Sequence, residues 1–189
     1  MAKAIVGLGN PGTEYERTRH NAGWLLLDHL VARWGLAPYR RAEQAVATTG
    51  TLKGVPVRLL KPTTYMNRSG DALRALRSPT WDPAADLLVL VDDVSLPPGR
   101  FRLRGAGSPG GHNGLRSIEA ALRRTDYPRL RIGVGNKPAE YGDLADWVLG
   151  RFTADERTAL TEILDPMAEA VECWVADGIE AAMTRFNRT

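Results

Sequence analysis

Two hydrophobic rhythms alternate along the chain. Residues 3–8, "KAIVGL", residues 86–91, "DLLVLV", and residues 129–135, "RLRIGVG", are short runs with little polar interruption. Such runs read as strands covered on both faces. Between the first two, Trp24, Leu27, Val31 and Trp34 recur at three- and four-residue spacing. That spacing predicts an amphipathic helix, with Asn21 as its N-cap and Gly35 as its stop. "QAVATTGTL" and "VPVRLL" flank "KG" and predict an antiparallel hairpin. "TTYMNRSGDALRALR" reads as a loop leading into a helix, and "RFRLR" as a half-basic strand. "HNGLRSIEAALRR" predicts a helix that starts at His112 or Asn113. Residues 153–176 and 178–187 predict a long and a short terminal helix, broken at Asp177-Gly178. No internal repeat or linker interrupts the pattern. Strand–helix alternation with one inserted hairpin implies an α/β fold. We expect a single three-layer α/β/α domain over residues 1–189, with a central mixed sheet. Ligands of such sheets sit outside the carboxyl ends of the strands. The loops of interest are therefore 9–20, 61–70, 92–99 and 105–113.

Composition narrows the class. At 189 residues and 43% hydrophobic content, one domain can bury a good core. No apolar run approaches the ~20 residues of a membrane span. The N-terminal residues enter a strand directly, without the apolar stretch of a secretory leader. Cys173 is the single cysteine, so no internal disulfide can form. These features predict a cytoplasmic protein with no membrane partner. The net charge of +3 is unevenly distributed. Arg100 to Arg131 holds eight arginines against two acids, whereas Glu140 to Glu180 holds eleven acids against two arginines. A basic middle points to a local anionic partner, although a solvated arginine-rich surface would look the same.

"GLGNPG", residues 7–12, raises the question of a dinucleotide site. A pyrophosphate loop turns directly into a helix and donates backbone N–H groups. Here Gly12 is followed by "TEYERTR" before helical spacing begins, and Pro11 removes an N–H. No acidic residue closes a second strand at the required distance. The glycines therefore mark a tight strand-end turn rather than a phosphate cradle.

Serine-hydrolase, zinc-protease and Cys-x-x-Cys motifs are absent. Of the histidines His20, His29 and His112, His29 falls inside a helical run and reads as structural. A histidine-based metal site cannot be assembled from these positions, and no cofactor is expected. His20 lies where a strand-end loop meets the first helix, the position of a possible general base or of a capping histidine. Asp92 ends the most apolar strand, where a carboxylate can hold an imidazole tautomer or simply make a turn. Asn10, Asn21, Asn67 and Asn113 belong to the same set of loops. Each offers an acceptor and two donors without charge, and Asn21 is best explained as a cap.

The strings "GLGNPGTEYERTRHNAGWLLLD", "KPTTYMNRSG", "LVLVDDVSLPPG" and "SPGGHNGLRSI" together closely resemble the bacterial peptidyl-tRNA hydrolases of the Asp/His type. They follow that family's order and spacing over most of residues 4 to 135. The resemblance implies hydrolysis of the ester joining a peptide, or an N-blocked aminoacyl group, to the 3′ ribose of tRNA. It makes His20 the base and Asp92 its support. It assigns discrimination of blocked from free ends to Asn10, and contact with the substrate's 3′ end to Asn67 and Asn113. Tyr15 and Tyr65 would line the same region. Arg104 and Arg131, with Arg102 beside them, would clamp the terminal phosphate. It implies peptidyl-tRNA as partner, no DNA, a monomer, and water as the nucleophile without a metal. The oxyanion donor stays open among Asn10, Asn113 and a loop N–H.

Three positions depart from the family pattern. Val91 and Ser95 stand where histidine and aspartate are common, around Asp92. Pro109 replaces a small residue before "GGHNGL" and should stiffen that loop. None removes a residue assigned to catalysis. A non-catalytic RNA-binding relative would share the scaffold; the intact His/Asp/Asn set favours the enzyme.

Overall fold

The computed structural model describes residues 2–187. One seven-stranded sheet forms its centre, in the order β2-β3-β4-β1-β5-β7-β6. The middle is parallel: β1 (Lys3–Gly7) lies between β4 (Val55–Pro62) and β5 (Leu87–Asp93), and β5 pairs with β7 (Arg129–Gly133). Both edges are antiparallel. β3 (Ala45–Leu52) and β2 (Arg40–Ala42) extend one side, and β6 (Phe101–Arg104) closes the other against β7. The mixed sheet is as the sequence implies, except that β2 was not expected. Its three residues carry two exposed arginines and no apolar run, so only pairing with β3 defines it.

Side-chain alternation along the strands builds two cores. On one face Ile5, Leu59, Leu88, Leu90, Leu130 and Ile132 pack against α1 (Ala22–Trp34) and α5 (Ala154–Asp177). On the other, Val6, Leu60, Leu87, Val89 and Val91 pack against α3 (Asn113–Leu122) and a 3₁₀ segment, Met66–Leu76. A single turn, α2 (Pro83–Asp86), leads into β5, and α6 (Ile179–Phe186) packs on α5 and β6. Gly35 adopts φ 62° and ends α1 as expected. Thr153 and Glu156 form a capping box that starts α5.

Three local expectations are corrected. The helix expected after the 63–65 loop winds as 3₁₀ over Met66–Leu76, with a kink at Arg68 (φ −122°, ψ 18°) that the sequence pattern did not show. This segment crosses α3 at near contact: Gly70 N–H donates to Ser117 Oγ, and the backbone there leaves no room for a side chain. A short helix, α4 (Leu144–Val148), was missed. Its signal was present in Asp143, whose carboxylate accepts from Asp146 N–H, followed by Leu144, Trp147 and Val148. Asn21 does precede α1, but its side chain caps nothing. It serves the site instead.

Candidate active site

The parallel strands all end at one edge, and a cleft of about 490 Å³ opens there. Asn10 follows β1, Tyr65 and Asn67 follow β4, and Asp92 closes β5. His20 comes from a 3₁₀ turn, Arg19–Asn21, immediately before α1. His112 and Asn113 open α3. All seven line the cleft, with Leu144, Val148 and Leu149 from the α4 region as an apolar wall. No serine, threonine or cysteine is among the lining residues.

Asp92 is the centre of this arrangement. Its side chain is 1% exposed, and each carboxylate oxygen meets an imidazole. His20 Nδ1 lies 2.8 Å from Oδ2, and His112 Nε2 lies 2.8 Å from Oδ1. Burial alone would raise the Asp92 carboxyl, but the neighbouring His112 and His20, through charge and hydrogen bonds, outweigh it and hold it well below the usual carboxylate range. An ionised carboxylate only accepts, so His20 donates from Nδ1. Its Nε2 is then the unprotonated nitrogen, with an in-plane lone pair, on a residue that lines the cleft. The tautomer of His112 is fixed from both ends: Nδ1 accepts from Gly114 N–H at 3.0 Å, which leaves Nε2–H for Asp92. The two rings sit 4.9 Å apart, tilted by 49°.

His112 is the residue that sequence reading passed over. It was legible only as the cap of α3, which it is. Its second nitrogen reaches Asp92 across the sheet edge, and no local spacing reports that. The same contact revises the expectation about metals. His20, Asp92 and His112 do bring ligand-type atoms within 4.8 Å of one another. Both inward nitrogens, however, are committed as proton donors to the carboxylate. A cation would have to displace two hydrogen bonds and the α3 cap, so the residues fit a proton relay better than a metal.

Asn10 is 6% exposed and held on three sides. Asn21 Oδ1 accepts from its backbone N–H, Asn21 Nδ2 donates to its carbonyl, and its own Oδ1 accepts from Met66 N–H. The amide is thereby oriented, with Nδ2 left as the donor available to a ligand. Asn67 and Asn113 are exposed in the cleft wall. Tyr65 is 55% exposed and adopts φ 64°, ψ 159°, a conformation that side chains other than glycine rarely take. The backbone is held there by the sheet on one side and the Met66–Asn10 bond on the other.

Other assigned residues are placed differently. Tyr15 does not line the cleft. It ends a separate 3₁₀ turn, and its carbonyl accepts from Thr18 N–H and Oγ, which anchors the loop before His20. Arg131 does line the cleft, one strand from Val91 in register. It lies 3.6 Å from Asp93 and donates to the Ser108 carbonyl. Arg102 and Arg104 stand outside the cleft on β6, opposite Arg131 and Arg129. Alternation puts these four arginines on the same sheet face. Arg129 is fully buried, stacks on Tyr127 and donates to the Thr125 and Tyr127 carbonyls, so it has a packing role. The departures leave Asp92 untouched: Val91 packs in the α3-side core, and Ser95 donates from N–H and Oγ to Asp93. Pro109 accepts from His112 N–H in the turn that presents His112.

A mixed-sheet α/β domain with a carboxylate-oriented histidine and an uncharged amide at a strand-end cleft defines a protein equipped for water-mediated acyl hydrolysis. The comparisons with known proteins agree. The peptidyl-tRNA hydrolase family model matches residues 4–189. The chain is 52% identical to the peptidyl-tRNA hydrolase of Gemmatimonas aurantiaca, over 98% of this chain and all of that one. It is 49% identical to that of Chloroflexus aggregans, over 97% of each. The crystal structure of peptidyl-tRNA hydrolase from Acinetobacter baumannii superposes with a TM-score of 0.90 at 34% identity, covering 98% of this chain and 94% of that one. The chain belongs to the peptidyl-tRNA hydrolase family.

Proposed function

We propose that the protein cleaves the ester between a peptide, or an N-blocked aminoacyl group, and the 3′ ribose of tRNA, with water activated by His20. The observation that carries this is the His20–Asp92 hydrogen bond, which leaves Nε2 as the acceptor at the cleft. Water bound at Nε2 would lose its proton there as it attacks the ester carbonyl. Asp92 stabilises the imidazolium that forms, and His112 keeps the carboxylate oriented toward His20. The tetrahedral oxyanion needs a donor, and Asn10 Nδ2, Asn113 and the N–H groups of the 110–113 turn are the candidates at the cleft. As the intermediate collapses and the acyl C–O bond breaks, His20 gives its proton to the leaving ribose oxygen, which departs as a hydroxyl.

Recognition divides between uncharged and charged groups. Asn10 would read the acyl end, sensing whether its nitrogen is blocked. Asn67, Asn113 and the exposed Tyr65 ring would hold the single-stranded 3′ end, where bases can stack on aromatic faces. Arg131, with Arg102 and Arg104 on the same sheet face, would take the phosphates, positioning tRNA without reading its sequence. Among the described residues no helix is long and apolar enough to cross a membrane. With this activity goes what the family resemblance implies, a cytoplasmic monomer that acts on tRNA without a DNA or membrane partner.

The test is substrate discrimination. Purified protein should release N-acetylaminoacyl groups from tRNA and leave the unblocked aminoacyl-tRNA intact. Equal cleavage of both would contradict the role given to Asn10, and cleavage of neither would contradict the activity.

A further inference from the structure

Arg19 precedes His20 but does not line the cleft. It is 4% exposed. Its guanidinium lies 3.5 Å over the Trp147 ring. NH1 donates to the Trp147 carbonyl at 3.0 Å, and NH2 to Glu156 Oε1 at 2.7 Å. Its backbone N–H donates to the Gly150 carbonyl. The flanking residues repeat the attachment: Thr18 bridges to Arg151, and Phe152 N–H donates to the Arg17 carbonyl.

These contacts tie together elements distant in sequence. Trp147 belongs to α4, whose neighbours Val148 and Leu149 line the cleft. Glu156 also accepts from Thr153 N–H, as half of the capping box of α5. Trp147 Nε1 donates to the Gly135 carbonyl, just beyond β7. Gly150 lies close against the guanidinium, since a Cβ there would come 2.7 Å from NH1.

We infer that Arg19 is a positioning residue: it locks the turn that carries His20 to the α4 wall of the cleft, so that the base and the wall hold one geometry. Stability alone is a poor account of a buried arginine here. Desolvating an ion pair largely offsets its attraction, and Arg19 Nε is left without an acceptor. A planar fork that stacks on a ring while donating in two directions is instead a device for orientation, one that lysine cannot reproduce. This inference rests on His20 as the base.

The experiment compares wild type, Arg19→Lys, Trp147→Leu and His20→Ala on N-acetylaminoacyl-tRNA, at a temperature well below each thermal midpoint. Arg19→Lys should lower kcat ~10-fold or more, because small displacements of a reacting group are costly, while KM changes little. The Nδ1–H proton resonance of His20, expected to be sharp in the wild type because Asp92 accepts it, should broaden or shift in that variant. Trp147→Leu keeps the backbone carbonyl acceptor but removes the stack and the Nε1–Gly135 bond that anchors the wall; it should show the same loss in kcat and serves where Arg19→Lys fails to fold. A folded variant with wild-type kcat, or a loss confined to KM or to the thermal midpoint, would overturn the inference. Full activity in His20→Ala would instead remove the reading on which it stands.

Discussion

Asp92 is buried yet ionised because both of its oxygens accept from imidazoles. Its carboxyl is depressed in the folded protein, so the stability it contributes is complete above the ordinary carboxyl value of 3.8 and is lost as pH falls through the lower folded value. Acid titration followed by circular dichroism should therefore show Asp92→Asn flattening the loss of stability below about pH 4, relative to its own neutral-pH value. The same substitution should cut kcat by a factor on the order of 10²–10⁴, since an amide can leave His20 in the wrong tautomer. Substrate binding should persist, and an unchanged kcat would show that Asp92 does not orient the base. At this scale, the sequence displayed His20, Asp92 and Asn10 at strand-end loops, and the structure brings all three to one cleft. Second roles were not legible. His112 was visible as a cap and Asn21 as another, but the far nitrogen of one and the amide of the other act across the fold, on Asp92 and Asn10.

The elements that matter most are those that approach each other closely. Helix α1 lies against the strand ends at Gly23, where an added Cβ would come within 2.8 Å of Leu8 N and closer still to the Leu90 carbonyl oxygen. Gly23→Ala should cost about 1–3 kcal/mol through forced separation of helix and sheet. At this chain length that is a drop in thermal midpoint of roughly 2–4 °C per kcal/mol. An unchanged midpoint would mean that the helix can shift without loss. Elements with a strong rhythm, β1, β5, β7, α1 and α5, were legible because burial repeats along them. β2 and α4 were not. One is defined only by a partner strand, and the other is five residues long, too short for a period to show, with only the cap residue Asp143 to mark its start. Met66–Leu76 carried apolar residues at helical intervals, but contact with α3 at Gly70 accompanies a tighter winding than that pattern implies.

For the whole molecule, charge distribution and fold act together. The parallel strands bring Asn10 and Asp92 to one edge, where His20 meets the carboxylate, and the adjoining antiparallel pair β6–β7 carries Arg102, Arg104, Arg129 and Arg131 beside them. Arg131 stands in the cleft itself, among the residues that line it with His20 and Asp92. Arg131→Ala should raise KM for whole tRNA substrates and soften the salt dependence of binding, with little effect on short substrates that lack the 5′ phosphate. Equal losses on both would assign Arg131 to the structure of the cleft. The three-layer fold was legible from alternation alone, whereas the meeting of His20, Asp92 and His112 depended on topology that sequence spacing does not encode. The most direct test of the account is turnover of N-acetylaminoacyl-tRNA by His20→Ala, with folding verified by circular dichroism and thermal midpoint. A folded variant with turnover abolished is the predicted result; a folded variant that retains near-wild-type turnover would contradict His20 as the base.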